Sequence, residues 1–177
     1  MHDFSFKRGK LYCENVSVAS LAKKHGSPLY VYSHATLTRN FRQLDAALSP
    51  VDHTIHFAVK ANSNLGVLRT LANAGSGFDI VSGGELQRVI AAGGDPSKCV
   101  FAGVGKTVEE IELALKKGIY AFSAESEPEL IRINQIARRL KKKAPIAVRV
   151  NPNIDAKTHA KITTGTYENK FGIAFEE

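Results

Sequence analysis

The feature that most constrains this chain is a repeat of one unit: a short apolar run, then an amphipathic stretch, usually closed by glycine. The runs are residues 54–59, 77–81, 99–102, 119–123 and 146–150. Their centres lie about 21 to 26 residues apart, with room for one helix in each interval, which describes consecutive βαβ units. Val, Ile and Phe dominate the runs, as buried strands require. Such units build a parallel sheet with right-handed crossovers. The class is therefore α/β. Strict in-order alternation favours a (β/α)₈ barrel over a doubly wound sheet, although five strands fit either.

The intervals carry helix signals. Asn64 opens a stretch with Leu65, Leu68, Leu71 and Ala72 on one face and Gly75 at its end. Ser82–Glu85, Thr107–Glu110 and Ser126–Glu129 each read as a capping box, in which a hydroxyl and a carboxylate satisfy orphan N–H groups reciprocally. The N-terminal part is different. Residues 1–16 read as strands around a Lys7–Lys10 turn, and Ser17 caps a short helix that stops at Gly26. After Ser27-Pro28 comes a further strand, Leu29–Tyr32. Ser33 then opens a helix with Leu37, Phe41, Leu44 and Leu48 on one stripe. The expected division is residues 1–32, N-terminal strands and a short helix, and residues 33–177, a barrel segment of about five βα units. A whole barrel takes about 250 residues, and an unclosed one exposes apolar edges. The reading therefore expects an N-terminal fragment of a longer protein.

Composition narrows the function. The net charge is +7, from 24 Lys and Arg against 17 Asp and Glu. The densest basic run, Arg138–Lys143, falls at the end of a helical pattern, where cations suit the macrodipole. No aromatic residues interleave it, so a solvated helix end is favoured over a nucleic-acid surface. No apolar run approaches the ~20 residues of a membrane span, and the N-terminus lacks signal-peptide architecture. A cytoplasmic location is expected. Cys13 and Cys99 lack metal or redox spacing and read as free thiols. No metal site is expected.

In a barrel, chemistry sits at the C-terminal ends of the strands. Lys60 ends the first run. An unpaired ammonium is costly to bury, and the same desolvation yields a nucleophilic amine suited to Schiff-base chemistry. The alternative is that Lys60 snorkels into water. All five strand ends carry polar groups, which favours the functional reading. Asp79 lies within the second run and either points inward toward Lys60 or faces solvent. Arg149 follows a buried strand and needs an anionic partner, a structural carboxylate or a ligand. Gly103-x-Gly105 is a weak phosphate signal, since turns alone call for glycine. His159 reads as a surface loop residue, and His25, His34, His53 and His56 show no ligand spacing.

Several stretches together carry a resemblance. Residues 57–64, Phe-Ala-Val-Lys-Ala-Asn-Ser-Asn, resemble the cofactor-lysine motif of fold-type III pyridoxal-phosphate decarboxylases, and residues 77–85 resemble their second barrel strand. Residues 149–152, 155–159, 163–165 and 170–172 are more specifically similar to the diaminopimelate decarboxylases of that family. The resemblance implies an alanine-racemase-like barrel, with the N-terminal strands belonging to a second, β-rich domain. It implies pyridoxal 5'-phosphate held covalently by Lys60, with Asp79 contacting that lysine and Arg149 near the cofactor. It implies decarboxylation of meso-2,6-diaminopimelate to L-lysine, a small amino-acid substrate, by a homodimer. The family's ring-stacking histidine, glycine-rich phosphate loop and cross-dimer cysteine are expected beyond Glu177, so the 177 residues alone are expected to be inactive. The rival readings are another decarboxylase of this fold, acting on ornithine, arginine or carboxynorspermidine, and a non-catalytic binding relative. Retention of Lys60 counts against the latter.

Overall fold

The structure is a computed structural model and describes residues 2–151 and 172–174. The motif positions 152, 155–159, 163–165 and 170–171, His159 among them, lie outside the described residues.

A five-stranded parallel sheet forms the centre: β4 (His56–Ala58), β5 (Gly77–Ile80), β6 (Cys99–Phe101), β7 (Ala121–Ala124) and β8 (Ile146–Val148). Its spatial order is the chain order, with no reversal. Helices α2 (His34–Leu48), α3 (Leu65–Asn73), α4 (Gly83–Ala91), α5 (Val108–Lys117) and α6 (Glu127–Arg139) each touch the next. One core lies between helices and sheet. Phe78, Ile80, Cys99, Phe101 and Phe122 from the strands meet Leu68, Leu86, Val89, Ile111 and Ile133 from the helices. A doubly wound sheet reverses its strand order and carries helices on both faces. Sequential order with one continuous helical layer is instead a segment of a (β/α)₈ barrel wall.

The N-terminal residues form a separate antiparallel sheet of β1 (Phe4–Lys7), β2 (Lys10–Cys13) and β3 (Val16–Ser17), followed by α1 (Val18–His25). Arg8 and Gly9 both take positive φ, 50° and 75°, as a two-residue hairpin turn matched to strand twist requires. Polar contacts tie this sheet to α2. The Asp3 carboxylate accepts the Thr36 hydroxyl at 2.7 Å and pairs with Arg39 at 2.8 Å. The Glu14 carboxylate accepts the Ser33 hydroxyl at 2.8 Å and the Ala35 N–H at 2.9 Å.

Several sequence expectations change. Leu29–Tyr32 is not a strand, because no neighbouring strand among the described residues offers its backbone a ladder. Tyr30 and Tyr32 are exposed accordingly. The first run pairs only over His56–Ala58, and Val59–Ala61 turn into one 3₁₀ turn. The last run divides: β8 ends at Val148, and β9 (Val150–Asn151) pairs in parallel with β10 (Ile173–Ala174), a strand the sequence pattern did not announce. Only one of the three capping boxes closes. Thr107 Oγ1 accepts the Glu110 N–H and Glu110 Oε2 accepts the Thr107 N–H. Ser82 caps α4 through the Glu85 N–H, but Glu85 reaches one residue further back, to the Val81 N–H. Ser126 makes no side-chain cap bond at all.

The basic run at the end of α6 has structural work. Lys142 Nζ donates to the Leu115 carbonyl at 2.7 Å, satisfying the end of α5, and Arg139 pairs with Glu112.

Candidate active site at the strand ends

Side chains alternate across a strand, so register decides what shares a face. Phe78 and Phe101 enter the helical core, so Asp79, Val100 and Ala58 face the opposite, barrel-interior side. Asp79 is aligned with Ala58, and His56 with Gly77. His56 therefore sits below Asp79 on the same face, one pleat toward the strand N-termini. Gly77 makes that possible. A Cβ there would come within 2.7 Å of the Lys98 carbonyl oxygen and 2.9 Å of His56 Nδ1. The middle of this face carries small residues, Ala58, Ala121, Ser123 and Ala147, which leave room above the sheet.

Lys60 is not buried. Because β4 stops at Ala58, the 3₁₀ turn lifts the residue out of the sheet and leaves it exposed. The reach into water expected of a snorkelling lysine is what the backbone produces. Asp79 is half-buried, and burial pushes its carboxyl up from the ordinary range, while the charges of Lys60 and His56 pull the other way. Asp79 therefore feels Lys60, yet no ion pair within 4 Å joins them among the described residues. His56 enters this neighbourhood without any ligand spacing to announce it. Its signal was the two-residue offset from Ala58 on the inward face. Its Nδ1 is buried with no hydrogen-bond partner among the described residues.

Arg149, between β8 and β9, finds its anion in the protein. Its Nη1 lies 3.3 and 3.2 Å from the two carboxylate oxygens of Glu125, whose side chain is almost fully buried. A structural carboxylate is thus one partner of Arg149. Gly103 and Lys106, beyond the end of β6, also have partners within the protein. The Gly103 N–H donates to Glu125 Oε1 at 3.3 Å, and its φ of 90° explains the glycine. Lys106 is sealed in: Nζ donates to the carbonyls of Gly103 at 2.6 Å and Ser123 at 2.8 Å and to Glu129 Oε1 at 3.1 Å. Glu129, hidden in the sequence behind a capping-box pattern, is buried and also accepts the Glu125 N–H at 2.7 Å.

The strand ends thus present two unlike lysines. Lys106 has spent all three donors on the protein, whereas Lys60 is accessible, beside a carboxylate, above a face of small side chains. An accessible amine with a neighbouring carboxylate is the donor set that an aldehyde cofactor such as pyridoxal phosphate takes, and the residues present fit it. Among the described residues no cluster of His, Cys, Asp and Glu could hold a metal, and no helix is long and apolar enough to cross a membrane.

Comparisons with known proteins identify the family. The model of the pyridoxal-dependent decarboxylase family, in its pyridoxal-binding domain, matches residues 34–177. A diaminopimelate decarboxylase from Vibrio cholerae is 59% identical over 168 residues, 95% of this chain and 40% of that protein. Among solved structures, the diaminopimelate decarboxylase of M. jannaschii in co-complex with L-lysine superposes with a TM-score of 0.89 at 38% identity, covering 99% of this chain and 43% of that one. The Helicobacter pylori enzyme complexed with L-lysine gives 0.83 at 46% identity, covering 88% and 40%. The chain therefore spans about two-fifths of the length of the relatives it matches. With a sequential parallel barrel wall and a family match over residues 34–177, the chain belongs to the pyridoxal-dependent decarboxylases.

Proposed function

We propose that this chain supplies the cofactor-lysine part of an enzyme that decarboxylates meso-2,6-diaminopimelate to L-lysine. The observation that carries the reading is Lys60, the accessible amine just beyond the end of the first sheet strand, whose charge acts on Asp79 of the next strand. Its support is the naming of the relatives and the L-lysine held by two of the solved ones. In this reading Lys60 Nζ anchors pyridoxal 5'-phosphate covalently. Asp79 holds positive charge at that amine and orients it. Arg149, fixed by Glu125, presents its guanidinium near the cofactor. Pyridoxal phosphate, when bound, supplies the electron sink for the pair left on the substrate when carbon dioxide departs. The small residues of the inward face leave space for the ring. The active unit is proposed to be a homodimer in the cytoplasm, with residues 1–32 belonging to a β-rich domain and residues 33–177 to the barrel.

The test is borohydride reduction of the native gene product loaded with cofactor, followed by peptide mapping. The pyridoxyl label is expected on Lys60; a label on another lysine overturns the site. Lys60→Ala is expected to abolish carbon dioxide release from meso-diaminopimelate, and substantial residual turnover would sink the covalent role. Release from ornithine or arginine in preference to meso-diaminopimelate would reassign the substrate.

A further inference from the structure

Four ionisable groups meet at the ends of β6, β7 and β8, and they form one connected chain. Arg149 Nη1 bridges both oxygens of Glu125. Glu125 Oε1 also accepts the Gly103 N–H. Behind it, the Glu125 N–H donates to Glu129 Oε2, and Glu129 Oε1 accepts Lys106 Nζ. Lys106 returns to Gly103 and Ser123 through their carbonyls. The side chains of Lys106, Glu129 and Glu125 are 0, 7 and 3% exposed, while that of Arg149 is 39% exposed. The network is therefore sealed at its lysine end, and its most exposed member is the guanidinium.

Burying charges in this way is poor economy for stability alone, since desolvation offsets the attraction and apolar residues would serve as well. What the arrangement does supply is a fixed direction for the exposed group. A guanidinium on a free side chain samples many rotamers; one bridged to a buried carboxylate does not. We propose that Glu125 is a positioning residue for the reaction, holding the Arg149 guanidinium at the barrel mouth, and that the Lys106–Glu129 pair locks Glu125 from behind. The proposal rests on the decarboxylase reading, in which Arg149 lies near the cofactor.

A double-mutant cycle in the holoenzyme tests it, with Glu125→Gln, Arg149→Lys and the two combined. Each protein is read by kcat, KM, the absorption maximum of the bound cofactor and its dissociation constant. Glu125→Gln is expected to lower kcat by about tenfold to a hundredfold, the scale of a small misplacement at a reacting centre. It should move the cofactor absorption in the same direction as Arg149→Lys while circular dichroism and the Lys60 label are retained. The combined variant should be no worse than Arg149→Lys alone, because Glu125 acts through that residue. Losses that multiply in the combined variant overturn the proposal, as does an unchanged kcat and absorption in Glu125→Gln. If Glu125→Gln does not fold, Glu125→Asp keeps the charge and withdraws it by one methylene. It is expected to lower kcat less, and only when Arg149 is present; no effect there also overturns the proposal. A wild-type protein that labels on Lys60 while the Glu125 variants behave normally removes this inference alone. A wild-type protein that does not label on Lys60 removes the functional reading and this inference together.

Discussion

Two lysines at strand ends, Lys60 and Lys106, meet opposite fates, and the backbone decides which. Lys60 follows a strand that stops early, so a 3₁₀ turn carries it into solvent. Lys106 follows a glycine turn that folds it back beneath Glu129, over the Phe101 ring at 5.6 Å. Nothing in residue type separates them. Asp79 carries the clearest consequence of burial. Its carboxyl is pushed up from the usual 3.8 by desolvation, against the pull of Lys60 and His56. A raised value means the folded state holds the proton more tightly than the unfolded state does. The contribution to stability is thus present below pH 3.8 and is lost as pH rises through the folded-state value. Asp79→Asn is therefore expected to raise the melting temperature of the cofactor-free protein at pH 7, with the gain shrinking as the pH falls through the folded-state value and absent below 3.8. A melting temperature that drops at pH 7 would mean that the ionised carboxylate contributes more through Lys60 and His56 than its desolvation costs.

Among the elements, the helix starts are the most instructive. Three sequence patterns of the same form give one closed capping box, one half-box and one helix start without a side-chain cap. The box at Thr107 closes with Glu110 Oε2 on the Thr107 N–H, and Glu110 has its other oxygen to spare for the Gly83 N–H at 2.7 Å. At Ser126 the carboxylate three residues on, Glu129, is taken by Lys106 and by the Glu125 N–H. Thr107→Ala is thus expected to cost about 1 kcal/mol in urea unfolding, and Ser126→Ala close to nothing. Equal costs would mean that Ser126 caps α6 in solution.

For the whole molecule, burial is graded across the sheet. Phe78, Ile80, Phe101 and Phe122 on β5, β6 and β7 are fully buried, whereas Ile146 and Val148 on β8 are 39 and 50% exposed. Opening free energy follows buried contact. Amides of Ile80, Phe101 and Phe122 are expected to exchange most slowly with deuterated solvent, and those of Ile146–Val148 distinctly faster. Uniform protection across the five strands would contradict that grading.

The sequence by itself determined the α/β class, the five strands in chain order and the helices between them. Apolar periodicity and glycine stops are local signals that survive without knowledge of neighbours. It also carried the position of Lys60 at a strand end, through an apolar run bounded by polar residues. Family membership was legible because the motif around Lys60 and the Gly77–Glu85 stretch are contiguous. Only the tertiary structure decided which charges are paired. Arg149 and Glu125 are 24 positions apart, and Lys106 and Glu129 are 23 apart. A pairing over that distance depends on strand register and on competition for each carboxylate oxygen, neither of which a local pattern encodes. The same holds for His56 beneath Asp79 and for β10 beside β9. Each is fixed by which backbone groups happen to face one another once the sheet has formed.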